Sequence, residues 1–458
     1  MIVNLALTAV LAVAPVAPAA PVRPPTPPDL VSSEVDFRTA DGLTLGGTVY
    51  APRGATGTLP ALLLVHGSGT GGPGYREHLR GEAEAFARQG MVVLAPDKRQ
   101  KDYTAFHRDF DQLADDALAA FAVLRDRPEV DRAKAGIWGL SEGGWVVPIA
   151  AAKSAEVRFV VLAAGPTLPP LRQQVWNVTN KFERTGVGGS IADAFPTTWH
   201  RMIGDAGMFG GAHHDPVPPL SRVRQPVLAL WGEHDTAVPP AESAEILRDT
   251  LSRAGNPFYT IKFVPDAGHA MHLADARGKR LPDLVPGYAD AVGDWVAAVA
   301  AGDPPRESVA PPPAQGRRSV EVAPSSWWES APVQFGFLGL FVLLFGAYPV
   351  LWLFRRRPGT WPARVLVVTG LVGPLGAVGY LSTLMFSLTE NTVEAGPLLG
   401  DRPLIWLACQ AAAVAAVVST VLVARRWRSS ADRLRQGLVL AGGALLVPWS
   451  LYWGLLLP

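Results

Sequence analysis

The apolar positions of this chain fall into three regimes. Between residues 31 and 300, short continuous apolar runs alternate with longer stretches of helical period. The runs at 61–65, 91–95, 135–138, 159–163, 227–231 and 259–264 read as buried strands, and 110–125 and 241–253 read as helices. Strands alternating with helices predict a mostly parallel sheet with crossover helices on both faces. Ahead of them, 34–38 and 43–50 flank Asp41-Gly42, a hairpin turn. One interval, 166–222, is longer than a crossover needs and carries Trp176, Trp199, Met202, Met208 and Phe209. It is expected to be a helical cap over the sheet edge; the plainer alternative is a crossover helix with a long surface loop.

Beyond residue 300 the pattern changes twice. Residues 301–331 are rich in Pro, Ala and Ser and read as a linker. Four uncharged stretches follow, 332–354, 365–388, 403–424 and 437–458. Each is long enough to cross a hydrocarbon layer of about 30 Å as a helix, so an all-α transmembrane region is expected. Trp327 and Trp328 precede the first, where an interfacial belt would put them. Segment 355–364 has four Arg and no acid, segment 425–436 has five Arg and one Asp, and segment 389–402 has one Arg and three acids. Positive charge gathers on the cytoplasmic side, which would put residues 31–300 and residue 458 outside the cytoplasm, in a multi-pass protein of the cell membrane. The apolar N-terminus with small residues at 17–20 reads as a signal peptide over 1–20, followed by a Pro-rich spacer at 21–30. An uncleaved anchor there would imply the same side.

Composition narrows the chemistry. Net charge is +1, so no bulk pull toward nucleic acid is implied. A single cysteine, Cys409, excludes a disulfide within the chain. The segment Gly139-Leu140-Ser141-Glu142-Gly143 has the form G-x-S-x-G between a predicted strand and a helix. That context is a nucleophile elbow: a tight turn that presents the serine hydroxyl at the sheet edge. A serine hydroxyl needs a base, and His269, after the last predicted strand, is the candidate, with His272 as competitor. The base needs an orienting carboxylate between serine and histidine in chain order; Asp235 ends a strand, and Glu233 is second choice. A developing oxyanion needs two donors: the N–H of Glu142, and that of Ser68 or Gly67 in His66-Gly67-Ser68-Gly69. Trp176, Trp199 and Met202 of the cap are the expected substrate-binding residues. His213-His214-Asp215 lacks further ligands at motif spacing, so no metal is expected, and no cofactor. Lys98, Arg99 and Lys101 read as a solvated loop, or as a contact for a negative substrate group.

On His66-Gly67-Ser68-Gly69, Gly139-Leu140-Ser141-Glu142-Gly143-Gly144, Gly232-Glu233-His234-Asp235 and Gly268-His269, the chain resembles the α/β-hydrolase superfamily. Within it the likeness is to bacterial esterases and to dienelactone-hydrolase-like or prolyl-oligopeptidase-like members. The resemblance covers roughly residues 34–300. It implies a twisted sheet with helices on both faces, and a cap that shapes the acyl or leaving-group pocket.

The expected function is a membrane-attached serine hydrolase acting on small-molecule or lipid esters through an acyl-enzyme on Ser141. An aminopeptidase, with Glu142 binding a peptide amino terminus, is the first alternative. A non-catalytic ligand-binding membrane protein is the second. Oligomeric state is not legible.

Overall fold

The computed structural model describes residues 27, 29–274, 280–355, 359–388, 393–428, 430 and 432–458. The expected signal peptide, most of the spacer and parts of both Arg-rich connections lie outside them. Eight strands form the body of the sheet: β1 (Leu30–Arg38), β2 (Thr44–Pro52), β3 (Leu59–Val65), β4 (Val92–Pro96), β5 (Val130–Leu140), β6 (Val160–Ala163), β7 (Val227–Gly232) and β8 (Tyr259–Val264). Their spatial order is β1-β2-β4-β3-β5-β6-β7-β8. β2 runs antiparallel to both neighbours, and β4 through β8 are parallel.

Side chains that alternate along each strand feed two apolar layers. Leu63, Ala229 and Trp231 join one core with α2 (Phe110–Arg125), α3 (Gly143–Lys153) and α8 (Pro240–Arg253). Leu62, Leu64, Leu228 and Leu230 join the other with α1 (Arg80–Arg88) and α9 (Tyr288–Ala300). At the β1–β2 turn, Gly42 takes φ +86° and the Thr39 hydroxyl donates to Asp41, as the hairpin reading expects.

The interval 166–222 is helical: α4 (Pro170–Thr185), α5 (Ile191–Asp193), a π-helical stretch Ala194–Trp199, α6 (His200–Asp205) and α7 (Val217–Leu220). Its apolar face does not close on itself. Val178, Phe182, Phe195, Trp199 and Met202 share one core with Phe341, Phe345, Trp449 and Trp453 of the C-terminal bundle. That bundle is α10 (Ala331–Arg355), α11 (Trp361–Ser387), α12 (Leu404–Trp427) and α13 (Arg433–Tyr452), four helices long and apolar enough to cross a membrane. Polar contacts seal the joint. The Ser190 hydroxyl donates to Gly454 O (2.7 Å) and accepts from Trp406 Nε1 (3.1 Å), Gly188 N–H donates to Asp401 O (2.7 Å), and Arg201 pairs with Glu329.

Two sequence expectations are corrected. The fourth span starts earlier and ends earlier than 437–458. Asp432 caps the helix by accepting from Arg435 N–H, and the Arg435 guanidinium lies 4.3 Å from the Tyr348 ring centre, so the helix accommodates its basic first turn. At the other end Gly454 takes φ +75°, and its carbonyl is held by Ser190. The segment 301–331 is no free linker. Ser308–Val309 adds a short parallel strand to β8, Ser319 N–H donates to Glu242 (2.9 Å), and Trp176 Nε1 donates to Arg317 O (3.2 Å). Composition announced a spacer because docking through main chain leaves no periodic signal.

Burial of the insertion against the bundle makes a prediction. A chain ending at residue 325 leaves Phe182, Phe195, Trp199 and Met202 without their apolar cover, a contiguous patch that drives association. Such a protein is expected to aggregate or to lose its sharp melting transition. A soluble monomer melting like the full chain would contradict it.

Candidate active site

The elbow is built by close backbone approach. β5 ends at Leu140, Ser141 takes φ +50°, and α3 begins two residues later. A non-glycine residue in this region is strained and persists only where its surroundings hold it. Here Ser141 N–H donates to Ala163 O (3.0 Å), and Ser141 O accepts from Gly144 N–H (2.7 Å). The motif glycines have no room for a side chain. A Cβ on Gly139 would lie 2.6 Å from Gly143 O, one on Gly143 would lie 2.8 Å from Val65 O, and one on Gly144 would lie 2.5 Å from Gly165 Cα.

Those contacts bring the β3 loop to Ser141: a Cβ built on Gly67 would stand 3.3 Å from Ser141 Cβ. Ser68, on the same loop, is exposed. His66 is turned the other way. It is buried, and burial lowers its pKa from 6.5 to about 3, so the neutral ring donates through Nε2 to Pro96 O (2.7 Å). It fastens the loop to β4.

Asp235 and His269 stand on neighbouring loops at the same edge, after β7 and β8. His269 Nδ1 lies 3.0 Å from Asp235 Oδ2. The other carboxylate oxygen accepts from Ala237 N–H (2.8 Å) and Val238 N–H (2.9 Å), which fixes the acid's orientation. The two loops abut so closely that a Cβ on Gly232 would lie 2.3 Å from Ala267 O. Ala270 and Met271, directly after His269, take φ +67° and +60°. Strain of this kind gathers where a loop is held for a purpose. The competitors are otherwise engaged: His272 bonds Leu281 O (3.0 Å) and Arg280 (2.6 Å), and Glu233 is exposed to solvent.

The expected substrate-binding residues separate from this edge. Trp199 and Met202 lie in the core shared with the bundle, with the Trp199 ring 6.2 Å from that of Trp453. Trp176 is fastened to Arg317. The helical interval covers these apolar side chains with the C-terminal bundle and with 301–331, where a pocket wall was expected. What α4 does offer the site is polar. Asn180 Nδ2 donates to Thr236 O (3.3 Å) and Gln173 donates to Ala237 O, so α4 grips the loop that carries Asp235. Arg184 of the same helix is near enough for the Asp235 charge to offset part of the burial that lowers its pKa.

The basic cluster also departs from its reading. Lys101 is exposed, but Lys98 and Arg99 are buried. Arg99 is forked onto Asp116 (2.5 and 2.7 Å) and reaches Asp41 (3.0 Å). Lys98 Nζ meets Glu142 Oε1 (2.5 Å), Tyr103 OH (2.9 Å) and Gly67 O (2.7 Å). Glu142 Oε1 also accepts from Tyr103 OH (2.8 Å), and Oε2 accepts from Arg108 Nη1 (2.9 Å). Burial works against the charge on Glu142, yet Lys98 and Arg108 outweigh it and hold the carboxyl below its ordinary pKa. Tyr103 and Arg108, never singled out in the sequence, therefore belong to this surrounding. His213 pairs with Asp205 (2.9 Å), and among the described residues no group of three His, Cys, Asp or Glu could hold a metal ion.

Strand order, elbow and the position of the acid and histidine loops together give the chain the α/β-hydrolase fold. The prolyl oligopeptidase family matches residues 77–285. Among curated relatives, the chain is 32% identical to the polyketide transferase claH of Penicillium crustosum over 29% of this chain and 44% of that one. It is 26% identical to a Salmonella typhimurium protein assigned as a carboxymethylenebutenolidase, over 52% of this chain and 74% of that one. Against the esterase EstD of Thermotoga maritima it is 24% identical, over 54% and 62%. The match thus spans less than half the length of the transferase.

His66 generates a prediction about pH. Below pH 6.5 the unfolded chain takes up a proton that the buried ring refuses until about pH 3. Proton uptake by the unfolded state alone lowers stability as pH falls through that window. The melting temperature of His66→Asn should therefore decline less steeply from pH 6.5 to 4 than that of wild type. Parallel curves would contradict this.

Proposed function

We propose that the protein is a membrane-attached serine hydrolase that cleaves carboxylic esters through an acyl-enzyme on Ser141. The reading is carried by one observation: Ser141 at φ +50° on a strand-to-helix turn, with a carboxylate-held His269 on a loop of the same sheet edge. His269 accepts the Ser141 proton as Oγ attacks the ester carbonyl carbon, and the Oγ–C bond forms. The N–H groups of Glu142 and Ser68 receive the carbonyl oxygen as it becomes negative. The tetrahedral adduct collapses, the C–O bond to the leaving group breaks, and His269 returns the proton to the departing alkoxide. Water then enters and attacks the acyl carbon as His269 takes its proton; the C–Oγ bond breaks, His269 returns the proton to Ser141 Oγ, and the carboxylic acid leaves. Asp235 steadies the imidazolium in both halves.

Ester is preferred to peptide for a physical reason. An aminopeptidase needs an accessible carboxylate for the substrate's ammonium, and the Glu142 side chain is 1% exposed and committed to Lys98, Tyr103 and Arg108. The names of two relatives, an esterase and a carboxymethylenebutenolidase, lean the same way. The substrate is a small-molecule or lipid ester.

The way the bundle meets the sheet domain supports membrane attachment and its sidedness. Contacts at Glu329, Asp401 and Gly454 put the start of α10, the α11–α12 connection and the end of α13 beside the insertion. The Arg-rich connections then lie at the far ends, about 36 Å away for a 24-residue helix. Positive charge on the cytoplasmic side leaves the hydrolase outside.

Full-length protein in detergent is expected to turn over short-chain p-nitrophenyl esters and to leave aminoacyl p-nitroanilides intact. Ser141→Ala should abolish turnover and labelling by a fluorophosphonate probe. Asp235→Asn should lower kcat by about 10³–10⁴-fold, because the wrong imidazole tautomer then faces the serine. Hydrolysis of the anilides alone would replace the ester reading by a peptidase. A folded protein that ignores both substrates and the probe would favour a ligand-binding role.

A further inference from the structure

We infer that Lys98 is a positioning residue for the oxyanion hole, a single buried ammonium that sets both of its donors. The inference rests on the proposed hydrolase reading and goes beyond it to a residue outside the triad and the hole.

The ammonium has three N–H donors, and the three neighbours already described take them: Glu142 Oε1, Gly67 O and Tyr103 OH. Two of these lead to the candidate donors. The Gly67 carbonyl shares its peptide plane with the Ser68 N–H. No cis peptide is present among the described residues, and in a trans peptide the N–H points opposite to the C=O. An ammonium fixed on Gly67 O therefore fixes the direction in which Ser68 N–H is aimed. The second acceptor is the side chain of Glu142, the residue whose own N–H follows the nucleophile. Lys98 thus joins the loop after β3 to the elbow at the start of α3, two segments separated by about 75 residues of chain.

Packing alone does not call for a charge here. Lys98 is 6% exposed and Glu142 1%, and a buried ion pair commonly gains little over apolar residues of the same shape. A cation on a carbonyl oxygen has a further consequence: it polarises the peptide and strengthens its N–H as a donor. Two cationic groups, Lys98 and Arg108, face one carboxylate, Glu142, a surplus of positive groups beside the elbow; burial lowers the Lys98 pKa, and the Glu142 carboxylate opposes that shift. That sign suits a site where negative charge develops on oxygen. Lys98 acts through Gly67 and Glu142 and is not itself placed on the reacting atoms.

The test is kinetic, on full-length protein in detergent. Lys98→Met is expected to lower kcat roughly 10- to 100-fold, less than outright removal of a donor, and to leave KM unchanged. Affinity for an aryl trifluoromethyl ketone, which forms an oxyanionic adduct with a serine, should fall by the same factor. Lys98→Arg, which keeps the charge, should recover part of both. If Lys98→Met melts early because Glu142 has lost its partner, Lys98→Met/Glu142→Gln removes both charges at nearly constant shape and should show the same kcat and inhibitor losses. A folded variant with wild-type kcat, or a change in KM with inhibitor affinity unmoved, overturns the inference while the hydrolase reading stands. Wild type that fails to label at Ser141 overturns both.

Discussion

The arrangement depends on main chain packing against main chain at the carboxyl edge of the sheet. Four loops must meet there: those after β3, β5, β7 and β8. The distances leave no room for side chains at Gly139, Gly143, Gly144 and Gly232. Because the loops touch through backbone, a side chain at any of these glycines would push them apart. Three non-glycine residues at this edge, Ser141 and then Ala270 and Met271 directly after His269, absorb the strain at positive φ. The buried charges at Glu142, Lys98 and Arg108 then tie the underside of the same edge. Geometry and electrostatics thus act on one small volume.

The bundle enters this picture through α4. One face of the helix contributes Val178 and Phe182 to the core shared with the membrane-length helices. The other places Asn180 and Gln173 on the loop that carries Asp235. Anchoring alone would need one span. Four helices make sense as a surface that the insertion completes, with Trp453 and Gly454 at one end of the joint and Trp406 across it. The segment 301–331 runs along the hydrolase and fastens to α4 and α8, so it binds the two parts together.

Much of this could be read from the chain because the decisive signals are local. The G-x-S-x-G segment between strand and helix located the elbow, and Asp41-Gly42 located the hairpin. The position of Asp235 and His269 after successive strands followed from chain order. What the sequence concealed is which surface an apolar or charged residue meets. Trp199 and Met202 are equally apolar whether they line a pocket or face a bundle; only the fold of 166–222 decides. Lys98 looks solvated because its partners, Gly67 and Glu142, lie 31 and 44 residues away. Arg435 extended the last helix beyond its apolar run because a tyrosine from α10 received it, and no window of hydropathy contains that information.

The central claim is that Ser141 becomes acylated during turnover. Mixing the full-length protein with excess p-nitrophenyl acetate, quenching in acid within milliseconds and mapping peptides by mass tests it directly. The account predicts an added acetyl group, about one per chain, on the hydroxyl of Ser141. Turnover of the ester with Ser141 unmodified at every quench time, or with the acetyl group on another residue, would contradict it.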